Sequence, residues 1–104
     1  MRRTENLELV LNNLQSNMVR LRNDIARLDS ATAAIYYKWT IDLPKGSTIC
    51  DAELNADLAR ATDNSKKVSS CERQLKFQTE LYGKLLYTYS VLMGQDLAKI
   101  FRKN

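Results

Sequence analysis

The fold of this chain is decided by residues 7–39, which read LELVLNNLQSNMVRLRNDIARLDSATAAIYYKW. Apolar side chains recur there at alternating steps of four and three, which is the spacing of a heptad seam on an α-helix. Thr32 is the polar exception in the series. The seam residues are Leu7, Leu11, Leu14, Met18, Leu21, Ile25, Leu28, Ile35 and Trp39. A seam of this length predicts a coiled-coil helix from about residue 4 to about residue 40.

The first helix is expected to end in a reversal at residues 41–48. Pro44 disfavours helical geometry at the residue before it, and Gly46 permits a change of direction. A second helix should then run from about 49 to about 101, with Thr48 as its capping residue. Asp63-Asn64-Ser65 offers an alternative of three helices, if the second helix breaks near 63–66. The predicted fold is all-α: a long antiparallel helical hairpin that forms one domain over residues 1–104.

The second helix carries more apolar surface than one neighbouring helix covers. Its main stripe is Leu54, Leu58, Ala61, Ser65, Val68, Cys71, Leu75, Tyr82, Leu86, Tyr89, Met93, Leu97 and Ile100. A further set beside it and at its end forms a candidate partner interface, namely Phe77, Leu81, Leu85, Leu92, Leu97, Ile100 and Phe101. A turn centred near Lys45 would place Leu7 opposite Lys84 and leave the segment from Tyr89 onwards beyond the first helix. We therefore expect a multi-helix bundle, completed by a second copy or by another helical protein.

Composition argues against an enzyme. The chain has no histidine, so the commonest general base and metal ligand is missing. Two isolated cysteines, Cys50 and Cys71, do not make a closed zinc site. The sequence also lacks the glycine-rich motifs that cradle phosphates and the GxSxG motif of a serine nucleophile. We expect no catalytic residue, no cofactor and no metal.

The net charge of +4 is unevenly distributed. Residues 41–65 hold two basic and five acidic groups, whereas residues 66–104 hold eight basic and three acidic groups. This segregation favours electrostatic pairing between segments or between chains. It falls short of the dense basic stripe of a nucleic-acid-binding protein, which makes nucleic acid the weaker choice of partner.

Two local clusters allow both a functional and a structural interpretation. The acidic turn of residues 51–57 would hold a cation or supply acid and base, or it complements the positive end of the second helix. The aromatic cluster of residues 36–39 would anchor a partner, or it covers the end of the hairpin. We favour the structural interpretation for both clusters.

The expected function is that of a non-enzymatic structural or adaptor protein, which acts through coiled-coil packing and oligomeric assembly. One alternative is a small helical chaperone that shields a client's amphipathic helix, and another is a basic nucleic-acid-binding accessory protein. No apolar run reaches the roughly 18 residues of a transmembrane helix, and polar side chains interrupt the N-terminal segment, so no signal peptide is expected. Cysteines outside a CxxC spacing favour an intracellular, reducing compartment, either cytoplasm or nucleus.

Overall fold

The computed structural model describes residues 3–41 and 48–102, and for residues 3, 100 and 101 it describes the backbone alone. Nearly all of these residues lie in two helices, α1 (Arg3–Thr40) and α2 (Asp51–Arg102). Within the described ranges there is no β-strand. The predicted all-α antiparallel helical hairpin is confirmed. Most of the expected reversal, including Pro44 and Gly46, lies outside the described residues.

Helix α2 is continuous through residues 63–66, so the three-helix alternative is wrong. The side chains of Asp63 and Ser65 are exposed, and they do not disturb packing against α1. Lys67 Nζ lies 3.0 Å from Asp63 Oδ2, one helical turn back. Pairs of this spacing support a helix, and the residues between them have no proline or glycine to break it.

The helix ends differ slightly from the prediction. The amide of Leu54 donates to the carbonyl oxygen of Cys50 at 2.9 Å, which makes Cys50 the capping position of α2. The predicted start at residue 49 and the predicted cap at Thr48 are therefore each two residues early, since α2 begins at Asp51 after Cys50. At the other helix, Thr4 lies inside α1 and is 1% exposed, so it belongs to the core.

The chain packs into two compact units, and each unit combines a piece of α1 with a piece of α2. The terminal unit consists of Met1–Arg20 and Leu75–Asn104, and the connector unit is Leu21–Gln74. Every seam residue named from the sequence of α1 is buried or half-buried in its unit. Among the described residues, the buried apolar side chains are Leu11, Leu14 and Met18 in the terminal unit and Leu21, Leu28 and Ala61 in the connector unit. The single domain over residues 1–104 stays a prediction.

The register between α1 and α2 differs from the one expected. In the terminal unit the Tyr89 hydroxyl donates to Glu8 Oε1 at 2.9 Å. Tyr89 is thus beside the first turns of α1 and not beyond them, and Leu7 lies near the level of Tyr89 and not of Lys84. In the connector unit the Trp39 indole N–H donates to Asp57 at 2.8 Å, so Trp39 lies beside a residue about one helical turn further along α2 than expected. A turn centred on Lys45 did not allow for that extra turn.

Helix α2 buries most of the expected stripe but not all of it. Leu58, Leu86 and Leu97 were assigned to the main stripe, but all three are exposed. Most of the buried and half-buried positions recur at steps of three and four, with Ser70, Leu81 and Met93 beside them: Leu54, Asp57, Ala61, Asn64, Val68, Cys71, Leu75, Gln78, Tyr82, Leu85, Tyr89, Leu92 and Asp96. Polar residues interrupt this seam. A pattern based on apolar spacing therefore assigned neighbouring leucines to the buried side in their place.

Candidate helix-docking surface

The part of α2 between Lys84 and Asp96, in the terminal unit, has an unusual composition. Residues 85–95 include no charged side chain. At 3.6 residues per turn they make about three turns, so no side of the helix carries charge over this length. A helix that is uncharged on all sides is normally buried on more than one of them.

One side of this stretch is covered inside the unit. Tyr89 and Leu92 are half-buried, and the hydroxyl of Tyr89 reaches Glu8 of α1. The α1 side of the same unit contributes Leu11 and Leu14, which are buried. This face of α2 therefore already has its partner within the chain.

The opposite side is exposed. Tyr87 is 73% exposed, and Val91 and Leu97 are 41% and 49% exposed. Small side chains lie among them, and a Cβ added at Gly83 or Gly94 would meet no atom within 4 Å. The residues on this side recur at steps of three and four, and we call them the outer face of α2: Gly83, Tyr87, Ser90, Val91, Gly94, Leu97 and Ala98. The outer face is apolar or small throughout and has no charged member.

The partner interface expected from the sequence overlaps this surface in part. Phe77, one of its members, is 66% exposed, and Leu97 belongs to the outer face. Three other members are half-buried, namely Leu81, Leu85 and Leu92. Leu85 and Leu92 occupy the stripe that α2 buries in the unit. The side chains of Ile100 and Phe101 lie outside the described residues.

The candidate partner interface named from the sequence did not include Tyr87, Val91 or Gly94. The signal that identifies them is the absence of charge over residues 85–95, together with the seven-residue spacing between an aromatic residue and a glycine. The expected interface followed the large aliphatic side chains instead. Several of those aliphatic side chains are half-buried in the terminal unit, so the expected interface lay partly on the covered side of α2.

A second cluster of polar side chains lies in the connector unit, where α1 ends beside the first turns of α2. Asp57 is 1% exposed, and its Oδ2 accepts hydrogen bonds from Lys38 Nζ at 3.0 Å and from Trp39 Nε1 at 2.8 Å. Lys38 Nζ also donates to Glu53 Oε1 at 2.6 Å and lies 5.0 Å from the centroid of the Trp39 ring. The guanidinium of Arg60 pairs with Oδ1 of Asp57. The acidic turn of α2 therefore holds a lysine of α1.

The charge of Lys38 acts on Glu53 as well. Its hydrogen bond and its positive charge hold the pKa of Glu53 below the ordinary value of 4.5, and Arg60 contributes in the same direction. Partial desolvation opposes this change. Glu53 is thus ionised at neutral pH, and the cluster serves to join α1 to α2.

A shallow groove of about 600 Å³ opens beside this cluster. Its walls are formed by Ala31, Ala34, Ile35, Lys38, Asp57, Arg60, Asp63, Asn64 and Lys67. The carboxylates of Asp57 and Asp63 face lysine or arginine side chains, so the groove presents paired charges. Nearby, the side chains of Tyr36 and Tyr37 are exposed, whereas that of Trp39 is half-buried and reaches α2 through Asp57.

Comparison with models of protein families, with curated proteins and with solved structures gives no match for this chain. Over the residues that the structure describes, no cluster of three or more cysteine or carboxylate side chains is arranged to hold a metal ion. Neither α1 nor α2, within the same residues, contains a stretch both long and apolar enough to cross a membrane.

Proposed function

We propose that this chain is a non-enzymatic assembly protein, a structural or adaptor subunit that joins protein molecules through helix packing. The surface that makes the contact is the outer face of α2. The observation that carries the proposal is the uncharged stretch of residues 85–95, which is covered on one side by α1 and exposed on the other. Exposed apolar surface of this kind usually marks an interaction site.

The outer face offers a closely approaching apolar partner, such as a helix, a gain in free energy on burial. Full burial of a large apolar side chain contributes about 1.5–3 kcal/mol, and Tyr87, Val91 and Leu97 are already partly covered, so about 1 kcal/mol each is a reasonable gain. Tyr87 has the properties of an interface anchor, since tyrosine offers a large contact area with few rotatable bonds. The small residues beside it let a second backbone approach closely.

Three basic side chains of the connector unit already face carboxylates, which weakens the case for a nucleic-acid partner at that unit. Lys38 lies in the cluster around Asp57, and Lys67 pairs with Asp63. Arg27 lies 3.8 Å from Asp24 on the same helix. Nucleic-acid binding depends on basic groups that are free to neutralise phosphates, and these three cations already face carboxylates.

Site-specific photo-crosslinking in the cells that make the protein tests this proposal. A photoreactive phenylalanine derivative is placed at position 87, and a matched control is placed at position 37, whose tyrosine is also exposed. We expect one or a few discrete protein adducts from position 87, lost when Val91→Glu is added. Many unrelated adducts would favour the chaperone alternative. Equal labelling from positions 87 and 37 would overturn the proposed docking surface.

A further inference from the structure

We propose that the partner on the outer face of α2 is a second copy of this chain. The two α2 helices lie antiparallel there, about a two-fold axis between Ser90 and Val91. This inference rests on the proposed function, because it names the occupant of the same surface. A two-fold interface requires a surface that is complementary to itself, and the outer face meets that requirement in shape and in charge.

The shape is self-complementary because a large residue and a glycine lie equally far from the centre of the outer face. Tyr87 precedes the midpoint between Ser90 and Val91 by the same distance as Gly94 follows it. An antiparallel pair therefore brings the exposed Tyr87 ring of each copy over Gly94 of the other. Because a Cβ at Gly94 would meet no atom within 4 Å, the ring finds open space there. Large residues set against small ones let helices approach to about 8–10 Å.

A parallel pair lacks this fit. It would set Tyr87 against Tyr87 and leave Gly94 facing Gly94, so that two projections meet and two gaps stay empty. It would also bring Lys84 beside Lys84, and like charges across an interface oppose association. The antiparallel arrangement is the one that matches each projection with a gap.

The charges are also complementary about the same axis. The centre of the contact, residues 85–95, has no charged side chain, so association strips no ion of its water. Towards each end, Glu80 of one copy comes within one residue of the level of Arg102 of the other. Both side chains are exposed, and the two-fold axis creates this pairing twice. A second copy thus supplies its own counter-charges.

An exchange of large and small residues tests the shape argument. Tyr87→Ala leaves a gap opposite Gly94, and Gly94→Tyr sets two rings against each other, so each change is expected to weaken self-association at least about tenfold. The double variant restores a tyrosine opposite a small residue and should recover most of the loss. Sedimentation equilibrium from about 1 to about 300 µM covers the range expected for a small interface.

The matched control is Ser69→Tyr, which adds a ring at an exposed position of α2 outside the outer face and should leave association unchanged. Circular dichroism confirms that each variant remains helical. A wild-type chain that is monomeric throughout this concentration range would overturn the inference. So would a double variant that associates no better than either single change.

Disulfide trapping tests the direction of the pair, in a Cys50→Ser and Cys71→Ala background. Ser90→Cys lies beside the axis and should form a linked dimer on mild oxidation. Ala98→Cys alone should not, because its two copies lie roughly 20 Å apart at 1.5 Å per residue, beyond the reach of a disulfide. When the Ala98→Cys chain is mixed with the Gly83→Cys chain, the two chains should form a disulfide-linked dimer with each other. A linked dimer from Ala98→Cys alone would indicate a parallel pair and refute the inference.

The outcomes separate this inference from the proposed function. A monomeric chain whose position 87 still crosslinks to one different protein would overturn the second copy and support the assembly role. A monomeric chain that captures no protein at position 87 would overturn both.

Discussion

At the scale of single residues, Asp57 is the group through which α1 and α2 meet in the connector unit. It is almost completely buried, and it accepts hydrogen bonds from Lys38 and Trp39, both on the other helix. An apolar seam shifted by one heptad would bury a similar area, but it would take these donors away from the carboxylate. Because Oδ2 finds both of its donors in this register, we infer that Asp57 favours it, as single polar seam residues do in coiled coils.

We predict that Asp57→Ala destabilises the chain by about 1–3 kcal/mol, because Trp39 and Lys38 lose their hydrogen-bond acceptor and the ion pair with Arg60 disappears. The loss stays in this range because Lys38 and Arg60 are largely exposed and water can solvate them. Urea denaturation followed by the fluorescence of Trp39, the single tryptophan, measures it. The control is Asp63→Ala, an exposed carboxylate, expected to cost less than about 0.5 kcal/mol. Equal losses would show that the buried cluster adds no stability.

A second prediction concerns how the stability of the folded chain depends on low pH. The pKa of Glu53 is lower in the folded chain than its ordinary value of 4.5, since Lys38 stabilises the carboxylate. Its contribution is therefore fully present above pH 4.5, and it is lost as the pH falls through the lowered folded pKa. Glu53→Gln should melt below the wild type at neutral pH, with the difference vanishing in acid. Glu72→Gln, at another exposed glutamate of α2, is the control. A difference that is constant with pH would contradict this linkage.

At the scale of the elements, the sequence predicted the buried side of α1 well and that of α2 only in part. The α1 seam is apolar at nearly every position, so its spacing alone identifies the buried side. In α2 the corresponding seam includes Asp57, Asn64 and Gln78, which an apolar search passes over. The register failed for a related reason, because it depends on the contact between Asp57 and Trp39. The docking surface was found only in part. Tyr87 and Gly94 matter through the fit of a large side chain against a small one, which a search for single apolar residues does not detect.

The continuity of α2 through residues 63–66 gives a prediction for this element. Ser65 is exposed in the helix interior, so a substitution there tests the backbone with little effect on packing. We expect Ser65→Pro to cost about 3 kcal/mol or more, because proline removes a helical hydrogen bond and clashes with the preceding turn. Ser65→Ala, the matched control, should be neutral or stabilise by up to about 0.5 kcal/mol. A well-tolerated proline would mean that the helix is broken there.

At the scale of the whole molecule, α1 and α2 each run through both the terminal unit and the connector unit. Unfolding of a helix segment in one unit removes backbone hydrogen bonds at the boundary of the next segment, and helix formation is cooperative. The predicted single domain therefore implies that the two units lose their structure together. The uneven charge leaves this expectation unchanged, because the buried side chains of both units are largely apolar.

Leu21→Asp tests that expectation. Leu21 is 3% exposed, and a carboxylate buried without a partner costs several kcal/mol, so we expect a loss of more than about 3 kcal/mol. Trp39 fluorescence follows the connector unit, hydrogen exchange at residues 85–92 follows the terminal unit, and both should shift to lower denaturant by the same amount. Val19→Asp is the control, since Val19 is 49% exposed on the same helix and its change should stay within about 0.5 kcal/mol. If residues 85–92 stay protected from exchange at a denaturant concentration where Trp39 fluorescence reports unfolding, the two units are separate domains. An unchanged denaturation midpoint for Leu21→Asp would show that the seam of α1 is not buried.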